Sequence, residues 1–217
     1  MAKSLKAMNA WIINAAILVE FLGFVWVAAG MPALNEIGSE DILGRAQAAL
    51  APGAASLAII AIVGLILRGV LPSSVRDGLV HLRWRNPLPG SRAFSAIGPR
   101  DPRVDMKKLK AAYGPLPRKP GEQNSKFYSI YREFRDEPGV LDAHRSYLLA
   151  RDLSVVSFFC TITLPFGAWF ATGPGRTAIW YGLVLLVVTL VLCIAAKSYG
   201  RRFVENTLSV ASHKSLG

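Results

Sequence analysis

Cysteine and acidic residues are scarce in this sequence. Its 217 residues include two Cys, three His and 14 Asp or Glu, against 25 Lys or Arg, so the formal net charge is +11. A disulfide framework needs more cysteines and a zinc site needs closely spaced ligands, so neither is predicted. The sequence also lacks a Gly-rich phosphate-binding loop and a His-Glu-x-x-His motif. We therefore expect no cofactor, no metal site and no catalytic residue.

Hydrophobic residues make up 52% of the chain and are concentrated in four blocks. Each block is about 20 residues long, which is the length that an α-helix needs to cross the hydrocarbon core of a membrane. Segments in lipid must be helical, because their backbone N–H and C=O groups find no water there. The pattern predicts an all-α integral membrane protein with four transmembrane helices, at residues 11–30, 54–71, 153–172 and 177–196.

The distribution of Lys and Arg predicts the orientation of these helices, because loops rich in basic residues remain on the inner side of the membrane. The short segments that follow the first and third blocks contain one Arg each. Nearly all other basic residues precede the first block, lie between Pro72 and Arg151, or follow Ala196. We expect a multi-pass protein of the inner (cytoplasmic) membrane with both termini in the cytoplasm.

The longest polar segment, residues 72–151, is predicted to form a basic, mostly helical cytoplasmic domain between helices 2 and 3. It contains sixteen Lys or Arg and eight Asp or Glu, a net charge of +8. Pro and Gly divide its first half into short elements. The pattern predicts one helix over 105–113, ended by Gly114, and a second from Asn124 or Ser125 to about Glu137.

The regions beside this domain are expected to support it. A helix from Val140 is predicted to continue into the third membrane span, and the tail at 198–217 is predicted to be a cytoplasmic extension of the fourth helix. Residues 1–71 would then contain helices 1 and 2, and residues 152–197 would contain helices 3 and 4. The domain is short and interrupted by turns, so we expect it to pack on these helix extensions and on neighbouring copies of the chain.

Glu20 lies near the middle of the first predicted span. An isolated carboxylate in that position costs free energy, so a functional role is the first hypothesis. At about 100° per residue, Asn9 and several small residues share its face, which suits either a water-filled pore or a helix interface. The alternative is a protonated carboxyl whose hydrogen bonds hold helices together.

The third predicted span combines three hydroxyl side chains with a proline. Ser154, Ser157 and Thr161 share one face, and Pro165 removes the hydrogen bond to the carbonyl of Thr161. Such a helix is suited to line a pore or to act as a hinge at Pro165. It is equally consistent with an ordinary internal helix whose hydroxyls bond to their own backbone.

Basic residues of the middle segment are interleaved with aromatic ones. Residues that follow the second span closely are explained by binding to anionic lipid headgroups. Charges farther along suit a nucleotide or a single-stranded nucleic acid, since cations bind phosphate and aromatic faces stack on bases. The aromatic stripe is also consistent with a hydrophobic core. The candidate ligand-binding residues are Arg83, Arg85, Arg92, Lys107, Lys108, Lys126, Tyr128, Arg132, Arg135 and Arg145.

Patterns typical of enzymes are weak in this chain. Arg76 and His81 have the Arg-x4-His spacing of HEPN ribonucleases, but so short a pattern arises often by chance. His144 lies near Asp142, with no third partner and no nucleophile. We interpret the chain as a protein that is not an enzyme.

The layout of membrane spans around a compact basic domain without an active site resembles small multi-span effectors of bacterial anti-phage systems. Examples are four-span effectors paired with cyclic-oligonucleotide synthases (CBASS-like) and the channel partner of the nucleotidyltransferase in the Hailong system. The resemblance implies an oligomeric channel, gated by a nucleotide, an oligonucleotide or a soluble protein at the basic domain. The expected partners are membrane lipid, further copies of the chain and such a ligand. The alternative is a non-conducting scaffold or sensor that recruits a soluble partner.

Overall fold

The computed structural model describes residues 5–29, 44, 71–172 and 175–214 of the chain. No strand occurs in these residues, and the predicted all-α class is confirmed. The helices, numbered in chain order, are α1 (Leu5–Ala28), α2 (Ser73–His81), α3 (Met106–Tyr113), α4 (Pro120–Phe134), α5 (Pro138–Thr172) and α6 (Arg176–Lys214). Three short turns lie between α2 and α3, a 3₁₀ helix (Pro89–Arg92), a π-helical turn (Ala93–Ile97) and a second 3₁₀ helix (Gly98–Arg100).

Three of these helices, α1, α5 and α6, are long and apolar enough to cross a membrane. They indicate a multi-pass membrane protein. The predicted span at 54–71 falls on residues outside the described part. α1 begins at Leu5, before the predicted start at Trp11, and α5 and α6 extend far beyond the predicted spans. Helical hydrogen bonds satisfy the backbone in water as well as in lipid, so a helix need not stop where its apolar block stops.

The described residues form two compact units. Of the described residues, the polar unit comprises 5–6, 72–151 and 193–214, and the apolar unit comprises 7–29, 44, 71, 152–172 and 175–192. Helices α5 and α6 each contribute one part to each unit, as the predicted helix extensions require.

The core of the polar unit combines the apolar stripe of α4 with the C-terminal part of α6. Phe127 and Ile130 of α4 are fully buried. Phe203 of α6 lies edge-on to Phe127, with 5.3 Å between ring centroids, and stacks on His144 of α5 at 4.4 Å. Aromatic rings contribute large buried areas to such a core. The tail predicted to extend the fourth helix therefore completes the core of this unit.

The structure confirms the predicted helix over 105–113. The Asp105 side chain accepts hydrogen bonds from the backbone N–H groups of Lys107 and Lys108, which caps the start of α3. Gly114 follows the helix with a φ of 76°, a backbone conformation that side chains disfavour.

The predicted start of the next helix is wrong, because α4 begins at Pro120 and not at Asn124 or Ser125. Pro120 has no N–H to leave unpaired in the first turn, and its fixed φ suits the first helical position. Glu122, also in the first turn, is stabilised by the positive end of the helix dipole. The helix also ends earlier than predicted, at Phe134, because the chain turns there into α5.

The hydrogen bonds of the Gln123 side chain explain why α4 begins one turn earlier than predicted. Its side-chain oxygen accepts hydrogen bonds from the backbone N–H groups of Phe94 and Ser95, at 3.0 and 3.1 Å. Its amide nitrogen donates to the carbonyl of Arg118 at 2.7 Å. These bonds attach α4 to the π-helical turn, with Gln123 itself buried.

In the apolar unit, small residues allow close helix contacts. A Cβ atom on Gly167 of α5 would lie 3.0 Å from the ring of Phe24 of α1. A Cβ on Gly182 of α6 would lie 3.3 Å from the Pro165 ring. Such approaches are common between membrane helices. The helix continues through Pro165 to Thr172, so the predicted hinge position lies inside α5.

Candidate functional site

Six basic or titratable side chains line a cleft of about 370 Å³ in the polar unit. Five carry a positive charge and the sixth is an imidazole: Arg83, Arg92, Arg100, Lys197, Arg201 and His81. The rest of the lining is apolar, formed by Pro89, Ala96 and Ile97, and no Asp or Glu of the described residues belongs to it. We call this surface the cationic cleft.

The chain reverses direction at the end of α2 to form one side of the cleft. Leu82 caps α2 in the left-handed conformation, with a φ of 51°, and its N–H bonds to the carbonyls of Gly78 and Leu79. Both His81 and Arg83, on either side of Leu82 in the chain, line the cleft. Arg92 and Arg100 are the last residues of the two 3₁₀ helices.

Helix α6 forms the other side. Lys197 and Arg201 are four residues apart and therefore share one face of the helix. Gly200 lies between them, and a Cβ there would be 3.1 Å from the Pro89 ring and 3.0 Å from the Tyr147 ring. The missing side chain lets α6 approach the 3₁₀ helix closely enough to bring its two cations to the cleft.

The charges in the cleft repel one another. Burial, followed by Lys197, Arg92 and Arg83, lowers the pKa of His81 to about 4, so its imidazole is neutral at pH 7. Burial and the nearby Arg83 also lower the pKa of Arg92. Arg201 is compensated by Glu205, with 2.5 Å between Nε and Oε1. The other four cations make no ion pair with any described residue, so a bound anion would relieve their repulsion.

His81 offers an unused hydrogen-bonding atom. Its Nε2 is shielded from solvent and has no hydrogen-bond partner among the described residues. A buried polar atom without a partner costs free energy, and such atoms are uncommon in folded proteins.

Two of the residues predicted to bind an anion, Arg83 and Arg92, lie in the cationic cleft. Arg85 is exposed but does not line it. Lys107 lines a separate depression together with His213, and Lys108 is exposed beside it on α3. The structure thus separates these last two residues from the cleft.

The other five predicted residues are scattered over α4, α5 and their connection. Lys126 lies over the ring of Tyr113, at 5.9 Å from its centroid. Tyr128 packs edge-on to Phe127 in the core, at 5.5 Å between centroids, and burial raises its pKa to about 12. Arg132 and Arg135 are exposed, and Arg145 is half-buried. None of the five lines the cleft.

Sequence reasoning missed four residues of the cleft: His81, Arg100, Lys197 and Arg201. A signal for two of them was present, since Lys197 and Arg201 have helical spacing in a tail that was expected to be helical. The pattern did not indicate that this tail packs against the turns that precede α3. Contacts between segments about one hundred residues apart cannot be derived from spacing alone.

A second charged cluster of the polar unit is buried. The Asp77 carboxylate of α2 has no solvent exposure and lies 3.7 Å from Nη1 of Arg151, whose side chain is 4% exposed. The Tyr147 hydroxyl donates a hydrogen bond to the same carboxylate. Because Tyr147 and Arg151 belong to α5, this cluster attaches α2 to α5.

The structure places the histidines of the two weak enzyme-like patterns, His81 and His144, in different surroundings. Arg76 is buried, whereas His81 lines the cleft. The Tyr131 hydroxyl and His144 Nδ1 form a hydrogen bond of 2.7 Å, and the His144 ring lies in the aromatic core. No group of three potential metal ligands occurs in the described ranges.

In the apolar unit, Glu20 is half-buried and Asn9 is buried. The Glu20 side chain lies near Cys160 and Tyr181. Its Oε2 is shielded from solvent and has no hydrogen-bond partner within the described part. Tyr181 donates to the backbone carbonyl of Glu20 at 3.1 Å. Glu20 therefore lies at a contact between α1, α5 and α6.

Two hydroxyl groups of α5, those of Ser157 and Thr161, contact α6. Ser154 and Ser157 are buried. Thr189 of α6 donates a hydrogen bond to the Ser157 hydroxyl at 2.9 Å, and the Thr161 and Thr189 oxygens are 2.8 Å apart. Thr161 also donates to the backbone carbonyl of Ser157. Within one chain, these groups form a helix interface.

No known protein family, curated protein or solved structure is significantly similar to this chain. The function is therefore inferred from the geometry of the chain itself.

Proposed function

We propose that the protein is a multi-pass membrane effector that binds a phosphate-bearing anion in the cationic cleft and transmits this binding to its membrane helices. The convergence of five cations and an imidazole on a cleft without an acidic lining residue carries the proposal. Guanidinium and ammonium groups bind phosphate through charge-assisted hydrogen bonds. We place the polar unit in the cytoplasm and the helices in the inner membrane, as the distribution of basic residues predicts.

Lys197 and Arg201 provide the connection to the membrane. Both lie on α6, a helix that is long and apolar enough to cross a bilayer. A ligand that binds them more tightly in one position of α6 shifts the population toward that position. Transmission thus requires only a movement of α6, without a separate signalling segment.

The proposed response is the opening of a pore built from several copies of the chain, in a bacterial anti-phage defence system. Several copies are needed because four spans enclose little volume. Glu20 supports this response, since Oε2 of a carboxyl within a membrane helix has no hydrogen-bond partner among the described residues. An intramembrane carboxyl is a functional candidate by default. A non-conducting scaffold that recruits a soluble partner is the competing outcome.

Ion release from liposomes tests both steps. The full chain is reconstituted, and K⁺ release is measured with and without inorganic pyrophosphate as a probe anion. We expect pyrophosphate-dependent release, its loss in the double variant Arg92→Gln/Arg100→Gln, and its retention in Lys108→Gln/Arg132→Gln. The control variant removes the same number of charges from exposed positions outside the cleft.

Three other outcomes of this experiment would each reject one part of the proposal. Pyrophosphate binding without release of ions would reject the pore and leave the scaffold. Release that is identical in both double variants would reject the cleft as the receptor site. Unchanged release in Glu20→Gln would remove Glu20 from the mechanism.

A further inference from the structure

We propose that the ligand of the cationic cleft carries at least two phosphate groups and that His81 takes up a proton when this ligand binds. The inference rests on the proposed anion binding and names the class of the anion. A free pyrophosphate-type compound and a bisphosphorylated lipid headgroup share this chemistry, and the experiments below distinguish them.

The number of uncompensated charges sets the number of phosphate groups. Of the five cations that line the cleft, one, Arg201, is paired with Glu205. Four cations remain, and they form no ion pair with a described residue. A phosphate monoester carries about −1.5 to −2 charges at pH 7. One such group would neutralise half of the excess at most, whereas two match it.

The lining determines which part of the ligand is recognised. The volume of about 370 Å³ is sufficient for a small organic anion. The apolar wall consists of Pro89, Ala96 and Ile97, so among the described residues no Phe, Tyr or Trp lines the cleft to stack on a base. The aromatic residues that suggested stacking, such as Phe127 and Tyr147, are buried in the core. The phosphate groups, and not a base, are therefore the recognised feature.

His81 is placed to respond to these phosphate groups. Arg83 follows it in the chain, Arg92 faces it from the 3₁₀ helix and Lys197 faces it from α6. Arg100 and Arg201 line the same cleft. One turn earlier on α2, Asp77 is already engaged by α5. Without a ligand, the imidazole therefore experiences mainly positive charge.

A bound polyanion reverses this balance. Burial, followed by the nearby cations, lowers the pKa of His81 to about 4 in the free protein, and a bound anion offsets the contribution of the cations. Negative charge in the cleft stabilises the imidazolium, so the pKa of His81 is higher in the complex. Between the two pKa values, binding is accompanied by proton uptake, and the affinity rises as the pH falls, by up to about tenfold per pH unit. Below about pH 4 the imidazole is charged in both states and this contribution ends.

Calorimetric titration of the full chain in detergent tests the phosphate number. We expect inorganic pyrophosphate to bind at least about tenfold more tightly than orthophosphate, because it engages more of the cations. Arg92→Gln/Arg100→Gln should remove this preference, and Lys108→Gln/Arg132→Gln should preserve it. Equal affinities for the two anions would overturn the two-phosphate class while leaving anion binding intact. Absence of binding by either anion would instead overturn the proposed function.

Competition with vesicles identifies the source of the phosphate groups. Bound pyrophosphate is challenged with vesicles that contain a bisphosphorylated inositol lipid or phosphatidylserine alone. Displacement by the first lipid only would support the class with a lipid headgroup as ligand. Failure of both lipids to displace it would support the class with a soluble anion as ligand. Equal displacement by phosphatidylserine would overturn the requirement for two phosphate groups.

A pH series tests the role of His81. Pyrophosphate affinity is measured from about pH 8 to pH 6 for the unchanged chain and for His81→Asn, with His81→Gln as a second variant. The ligand titrates identically in all three, so the difference between their slopes reports His81 alone. We expect the unchanged chain to gain affinity relative to the variants as the pH falls. Parallel slopes would overturn the proton uptake and leave the phosphate preference standing.

Discussion

The two units of the described chain use polar side chains in opposite ways. In the apolar unit, the Thr189 hydroxyl lies within hydrogen-bonding distance of the Ser157 and Thr161 hydroxyls across a helix interface. In the polar unit, four cations face one cleft without an acidic partner among the described residues. A polar group in a membrane helix therefore does not indicate a pore until its partners are known. Like charges gathered around a concave surface, in contrast, favour the binding of an anion that the described residues do not supply.

The largest loss of stability is expected on removal of the buried carboxylate of the polar unit, Asp77. Asp77→Ala would remove the carboxylate that lies 3.7 Å from Nη1 of Arg151, in a pair whose two side chains are almost completely shielded from solvent. Removing one partner of a buried pair costs about 3 to 5 kcal/mol of unfolding free energy. Equilibrium unfolding in detergent, followed by Trp fluorescence, measures this cost.

Asp136→Ala is the matched control for that experiment. Its carboxylate lies 3.4 Å from Arg135 in an exposed pair. Exposed pairs contribute little to stability, so we expect no measurable change. A similar effect of both substitutions would show that the buried cluster does not support the polar unit.

A medium effect is expected where the polar unit is tightly packed. A Cβ atom on Gly90 would lie 2.6 Å from Cδ1 of Phe127, so Gly90→Ala must displace a buried ring. Overpacking of this kind costs about 1 to 3 kcal/mol. Gly121→Ala, where no atom lies within 4 Å, should instead be neutral or slightly stabilising. Destabilisation of equal size in both variants, measured by thermal unfolding, would contradict this packing.

The smallest effect is expected in the apolar unit. Thr189→Val keeps the shape of the side chain but removes the hydrogen bond to Ser157. Hydrogen bonds between membrane helices contribute about 0.6 kcal/mol on average. Thr163→Val, at an exposed hydroxyl bonded to its own helix backbone, is the control and should have still less effect. A cost for Thr189→Val as large as that of Asp77→Ala would abolish the contrast between the two units.

The features that were predictable from the sequence depend on local chemistry. Asp105 and Gly114 bound α3 as predicted, and Val140 lies in a helix that continues into an apolar block. The start of α4 was missed because the bonds of Gln123 to Phe94 and Ser95 are tertiary. The same reason explains the cleft, of which Arg83 and Arg92 were predicted, whereas Lys197 and Arg201 arrive through the packing of α6.

The position of α6 in the chain also determines when the polar unit can fold during synthesis. Phe203 and Leu208 belong to its core, and Lys197 belongs to its cleft. The segment from Pro72 to Arg151 leaves the ribosome well before these residues are translated. Its aromatic stripe lacks the packing of Phe203 until α6 has been synthesised. The core of the polar unit and the cationic cleft are therefore completed only after α6 has been synthesised.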